Sequence, residues 1–429
     1  MRTYKRLLSS FLIFSISVIV FSQNNTNSPY TRYGYGKLAD QSFGQSQSMG
    51  GIGYGLRTRG QINALNPASY SQIDSLTFLF DFGLMGQWNT MSNGTAREGD
   101  FDGNFTYLSM QYRLVKRLGM SFGLKPLSYV GYDYGNTADI GDGTVKKNFN
   151  GTGSLSQVYG GLGYELLKNR LSLGVNVGFT FGSIERNLST TFPESSSSTT
   201  HPGAYPVTVL SEVSAHDFFW ETGLQYTHPI GKKDQLTIGA VFSPKQKFAA
   251  TNSVKRTLYD ANASTIVRAD TFPNYKDLYM PMSIGGGFSY VKNNQLTFGA
   301  DVLYQKWTDV AYPGSDAGMT FNDRIKYSGG IEYVKNPNVQ RGYLKRIRYR
   351  LGGYYSNSYV DVNNSGIDEF GITAGFGLPF RFRNRESMVN IGAEYIKIIP
   401  QKQLIDEQYF RVTVGVTFNE LWFRKHKFD

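Results

Sequence analysis

The 429-residue chain has no cysteine, only four histidines and four tryptophans, and a single long apolar run. The missing cysteines exclude disulfides, thiol nucleophiles, iron–sulfur clusters and thiolate zinc sites together. Among His201, His216, His228 and His426 no pair has the i, i+4 spacing of a helical zinc motif. No serine stands in a nucleophile-elbow setting. Gly51, Gly53 and Gly55 neither complete G-x-G-x-x-G nor open a helix. These gaps argue against an enzyme and imply no cofactor and no metal. Mean hydropathy is −0.34 and 40% of residues are hydrophobic. A polytopic helical membrane protein, with about 20 consecutive apolar residues per span, is therefore excluded.

What is present is a β-type composition: 30 tyrosines, 30 phenylalanines and 48 glycines. The single apolar run, Leu7–Phe21, follows Arg2, Lys5 and Arg6 and ends at Ser22-Gln23. That is the layout of a secretory signal peptide over residues 1–22, the run being short for an uncleaved anchor. Removing those three basic residues takes the formal charge from +11 to +8. Such a charge can serve nucleic acid. Here many Lys and Arg sit in short turns and the tail, which reads as a rim facing solvent and lipid headgroups, with no nucleic-acid partner.

From Asp74 onward the sequence alternates with period two, the mark of strands with two unlike faces. The clearest run sets Leu171, Leu173, Val175, Val177, Phe179 and Phe181 against Ser172, Gly174, Asn176, Gly178, Thr180 and Gly182. Alternation alone fits a sandwich, with its apolar face inward, or a membrane barrel, with its apolar face toward lipid. The connections separate the two. Fourteen segments fall near 75–88, 104–115, 118–134, 153–166, 170–186, 207–229, 235–258, 279–291, 295–309, 323–335, 345–362, 367–382, 387–399 and 408–418. Links after even-numbered segments are mostly tight and basic, as at Lys116-Arg117 and Lys168-Asn169. Links after odd-numbered segments run longer, as at Asn136–Gly151, Leu188–Pro206 and Thr257–Asp277. An even count with short links on one side and long ones on the other is the plan of a bacterial outer-membrane barrel. The expectation is an all-β protein: a 14-stranded antiparallel transmembrane β-barrel over residues 74–418, in a Gram-negative outer membrane, with a basic periplasmic tail over 419–429.

Residues 23–73 precede the barrel and are polar and Gly-rich. A fourteen-stranded barrel leaves a lumen wider than wall side chains can fill. An inserted hatch is one reading of this segment, a flexible leader the other. Asn66-Pro67 is a strong turn former, and Gly50 and Gly51 permit the irregular path a plug requires.

The run Gly44–Gly51, followed by Asn63-Ala-Leu-Asn66-Pro67-Ala68-Ser69-Tyr70, resembles the N-terminal hatch of the FadL/TodX-type outer-membrane transporters of hydrophobic compounds. Asn66, Pro67 and Ala68 match that family's Asn-Pro-Ala-Gly turn, while Ser69 replaces its Gly. The end Phe418-Asn-Glu-Leu-Trp422-Phe423-Arg-Lys-His-Lys is similar to Bacteroidota members of the group. The resemblance implies a hatch-gated fourteen-stranded barrel and a lateral portal at a kink in the third strand, which Pro126 would supply; an ordinary bulge is the bland alternative there. Pro244 interrupts the seventh segment in the same way.

The strand phases point Asp301, Glu332 and Glu394 into the lumen, and on the eleventh segment Arg346, Arg348 and Arg350, with Tyr349 and Leu351 toward lipid. Buried charges of opposite sign on one wall should pair. The expected result is a ladder that stiffens the wall and holds the hatch; a substrate site is the sharper alternative. Two functions follow. One is passive uptake of small hydrophobic, fatty-acid-like molecules through a hatch-gated channel embedded in outer-membrane lipid. The other is a non-transporting barrel subunit of an outer-membrane protein export or assembly complex, with envelope proteins as partners. A continuous apolar groove would favour transport; a lumen filled by the hatch and charged pairs would favour the structural role.

Overall fold

In the strand Leu171–Thr191, Ser172, Asn176 and Thr180 are buried while Leu173, Val175 and Val177 are exposed. This is the inside-out pattern of a membrane barrel rather than a sandwich. The computed structural model describes residues 26–139, 144–192, 205–231, 233–260, 265–273, 277–312, 318–337, 342–383, 385–402 and 405–421. The expected signal peptide, His201, His426 and the tail beyond Leu421 lie outside the described residues.

Fourteen antiparallel strands form the wall: β1 (Thr77–Ser92), β2 (Arg97–Val115), β3 (Leu118–Asp139), β4 (Thr144–Leu167), β5 (Leu171–Thr191), β6 (Val207–Pro229), β7 (Gln235–Ser243), β8 (Met282–Lys292), β9 (Leu296–Lys306), β10 (Arg324–Val334), β11 (Arg348–Ser356), β12 (Ile367–Phe382), β13 (Arg385–Pro400) and β14 (Asp406–Leu421). Each pairs with its sequence neighbour, and β14 pairs back onto β1 from Thr77–Leu421 to Ser92–Asp406, so the sheet closes. Closure removes the free edges that open sheets must protect. Outward tyrosines near the short turns, among them Tyr164, Tyr226, Tyr333 and Tyr349, are exposed and mark the periplasmic boundary of the apolar belt.

Three departures from the expected strands have physical causes. Pro244 ends β7 at Ser243, because proline has no N–H to continue the ladder. The expected 235–258 segment is therefore not one strand: its second half, Ala250–Tyr259, turns back to pair with β6 and with Ile266–Pro273. Much of the expected loop Asn136–Gly151 is strand, as is the start of Leu188–Pro206, through Thr191. β3 to β6 are 21 to 24 residues long and stay paired beyond the apolar belt as a raised wall. His216 and His228 both lie on β6.

Candidate functional site

The N-terminal segment from Thr26 to Ile73 runs down the lumen. High in the barrel, the Ser28 N–H donates to the Gly131 carbonyl at 2.8 Å, and the Asn89 side chain donates to the Asn27 carbonyl at 2.7 Å. At mid-height, Phe43 stacks on Tyr107 with ring centroids 4.1 Å apart. At the periplasmic end the chain forms a 3₁₀ turn, Pro67–Gln72, before entering β1. Asn66 caps this turn, its side-chain oxygen accepting from the Ala68 N–H at 3.1 Å while its amide donates to the Tyr54 carbonyl at 2.8 Å. Pro67 sits at the first helical position, where its missing N–H costs nothing. Asn66, Pro67 and Ala68 are all buried.

Gly50 and Gly51 take φ of 71° and 81°, a left-handed path open to glycine at little cost. A side chain at Gly50 would meet the Gly353 carbonyl at 2.5 Å. The wall yields in turn: a Cβ at Gly330 would overlap the Met49 carbonyl, and one at Gly174 would overlap Pro67. Hatch and wall thus meet backbone to backbone.

The charged side chains hold this contact. Glu332 on β10 accepts from Arg348 and Arg350 on β11, each at 2.7 Å, and from the hatch residue Gln45 at 3.0 Å. Arg350 also donates to Asn390 at 2.7 Å. Glu394 pairs with Arg411 on β14 at 2.9 Å and accepts from Tyr354 at 2.9 Å. Asp301 has no cation partner among the described residues. One of its oxygens instead accepts the hatch N–H groups of Gly53 and Tyr54 at 2.6 and 2.8 Å. The expected ladder is therefore two clusters and a hatch clamp, and Arg346 lies outside it, in the turn, paired with Glu386. Arg411 was missed, although it lies between the outward Phe410 and Val412 and its phase points inward. Lys37, in the hatch, sits with its ammonium 3.7 Å from the Tyr409 ring centroid. Burial lowers its pKa below the ordinary lysine value, and the Glu369 carboxylate opposes that shift.

Pro126 lies where the wall parts. β2 and β3 pair only from Leu108–Leu124 down to Val115–Leu118, whereas β3 continues on β4 with a register shift between Pro126 and Ser128. The hatch stitches the freed edge of β3. Lys37 and Leu38 pair with Tyr129 and Ser128, the Ala39 N–H donates to the Leu127 carbonyl at 2.9 Å, and Gln41 donates to the Pro126 carbonyl at 2.8 Å. The space left between hatch and wall is a cavity of about 250 Å³ whose lining mixes Leu38, Leu127 and Phe248 with Lys125, Glu221 and Glu369. Five cationic and five anionic side chains border it, an expensive surface for an apolar guest to cover.

A closed fourteen-stranded wall with an N-terminal segment matches the fold of the FadL/TodX-type barrels. Solved structures with this architecture include the CymD monoaromatic hydrocarbon channel, with a TM-score of 0.59, 16% identity, and coverage of 91% of this chain and 100% of that one. A Pseudomonas aeruginosa FadL homologue gives 0.58 and 12%, covering 89% and 99%. The Ralstonia pickettii toluene transporter TbuX gives 0.56 and 14%, covering 88% and 98%. At such identities the likeness is one of fold. No curated protein matches the sequence. The family model for BamG matches residues 4–429, and the chain belongs to the BamG family.

Proposed function

We propose that this chain is a barrel subunit of an outer-membrane protein export or assembly complex in a Gram-negative bacterium, reached through a cleaved signal peptide, and that its lumen is sealed. One observation carries the reading: among the described residues the hatch occupies the lumen, is tied to the wall by buried charges, and leaves beside it a cavity bordered by charged side chains. Each tie is a charge-assisted hydrogen bond between buried groups, worth about 1.5–3 kcal/mol; Glu332 and Asp301 supply three to the hatch, while Glu332 and Glu394 pair with arginines across the wall. Domain limits of 23–73 for the hatch and 74–418 for the barrel accompany this proposal. Native mass spectrometry of the protein extracted from its own membrane in mild detergent tests it. A stoichiometric complex with other envelope proteins is the expected result; a monomer carrying lipid-like ligands overturns it.

A second reading, passive uptake of small hydrophobic molecules, draws support from the parting at Pro126. CymD is a monoaromatic hydrocarbon channel and TbuX a toluene transporter, and both share this barrel fold. In this reading the stretch Lys37–Gln41 is a gate between β2 and β3, and Pro126 marks the portal. Uptake of a labelled fatty acid into cells with and without the protein separates the readings, since a sealed subunit leaves the rate unchanged.

A further inference from the structure

Periplasmic links in this barrel are short, with one exception. Residues 116–117, 168–170, 230–234, 293–295 and 383–384 join their strands in two to five residues, whereas β10 and β11 are joined by 335–347. The described residues of this link are ordered by a backbone bond from the Asn336 N–H to the Lys345 carbonyl at 2.8 Å, a 3₁₀ turn at Tyr343–Lys345, and the Arg346–Glu386 ion pair at 3.3 Å. This built turn holds Leu344 out at 72% exposure, the highest of any large apolar side chain among the described residues, with Tyr343 beside it at 47%.

Lipid does not account for that exposure. Tyr333 and Tyr349 are register partners, both face outward, and belong to the tyrosine girdle. The link starts two residues after one and ends two before the other, so Leu344 lies on the aqueous side. On the link itself Lys335 and Lys345, and at the periplasmic ends of β8 and β12 Lys292 and Arg381, are exposed and form no ion pair among the described residues. An apolar knob within a basic surround fits an apolar pocket with an acidic rim.

We propose that the Tyr343–Leu344 knob with Lys335 and Lys345 is a docking surface for an acidic protein of the periplasm; this rests on the subunit reading and names the side and chemistry of the partner. The test places a photo-crosslinking amino acid at position 344 of the full chain in living cells, with Ile230, an exposed tip of another turn, as the control position. The expected result is an adduct at 344, weak or absent at 230, with one protein of acidic isoelectric point. Its yield should fall at least tenfold in a Lys335→Glu/Lys345→Glu variant that keeps the heat-modifiable gel migration of a folded barrel. Adducts with phospholipid alone, a yield indifferent to the charge reversal, or no adduct beyond the control overturns the proposal. If native mass spectrometry still shows a complex in that event, the subunit reading stands and the partner docks elsewhere; a monomer there overturns both.

Discussion

Glu332 and Arg350 are register partners across β10 and β11, and the guanidinium Nε donates to the carboxylate at 2.7 Å with both side chains buried. Arg348, one inward position further along, donates to the other carboxylate oxygen, so one carboxylate answers two cations. Glu332→Ala leaves both guanidiniums uncompensated. The expected loss is about 3–5 kcal/mol of barrel stability, read as a lower guanidinium midpoint in detergent. The Glu332→Ala/Arg350→Ala double variant should lose less than the two single variants added together; strict additivity would show that the pair is not coupled.

Asp301→Ala removes the acceptor for Gly53 and Tyr54 while leaving the wall strands paired. Trypsin cleavage after Arg57 or Arg59 in the folded protein should then accelerate at least tenfold, because two charge-assisted bonds no longer oppose hatch opening. An unchanged cleavage rate would place the hold on the hatch elsewhere.

The chain has no cysteine, so a Leu38→Cys/Ser128→Cys variant contains a single possible bridge. The two residues are register partners, and paired Cα atoms in antiparallel strands lie about 4.5–5.5 Å apart, within disulfide reach. Oxidation should close the bridge nearly completely in folded protein. Complex formation should survive it if the hatch is fixed, and hydrophobic uptake should stop if Lys37–Gln41 is a gate.

Gly330→Val puts a branched side chain where the Met49 carbonyl lies. The hatch must shift or the wall must bulge. In a planar bilayer the native protein should be silent to ion flow and the variant should conduct. A silent variant that is still folded would show that the hatch adapts by small local movement.

The strand plan was legible because membrane barrels write their two faces into alternating residues: Leu173 and Ser172 declare opposite sides whatever their partners. Parity and basic turns then distinguished barrel from sandwich, and Pro126 announced a break in the ladder. Pairing was less legible. Glu394 finds Arg411 on β14 and not an arginine of β11, because alternation gives the face of a residue but not which strand is its neighbour at that height. Asp301 resembled Glu332 and Glu394 in local sequence, yet it serves backbone N–H groups of the hatch, which no side-chain pattern records. The long extracellular strands were hidden for a related reason. Above the membrane both faces of β3 to β6 meet water or hatch, the apolar alternation fades, and the strand reads as loop.

The course of the hatch has a directional consequence. Thr26 lies high in the lumen, and the chain leaves it at the periplasmic mouth to become β1. A downward pull from the periplasm would therefore free the part anchored by Asn66 first and the stitches on β3 last. A pull on its upper end would reverse that order, so the two mouths of the lumen release the segment by different routes.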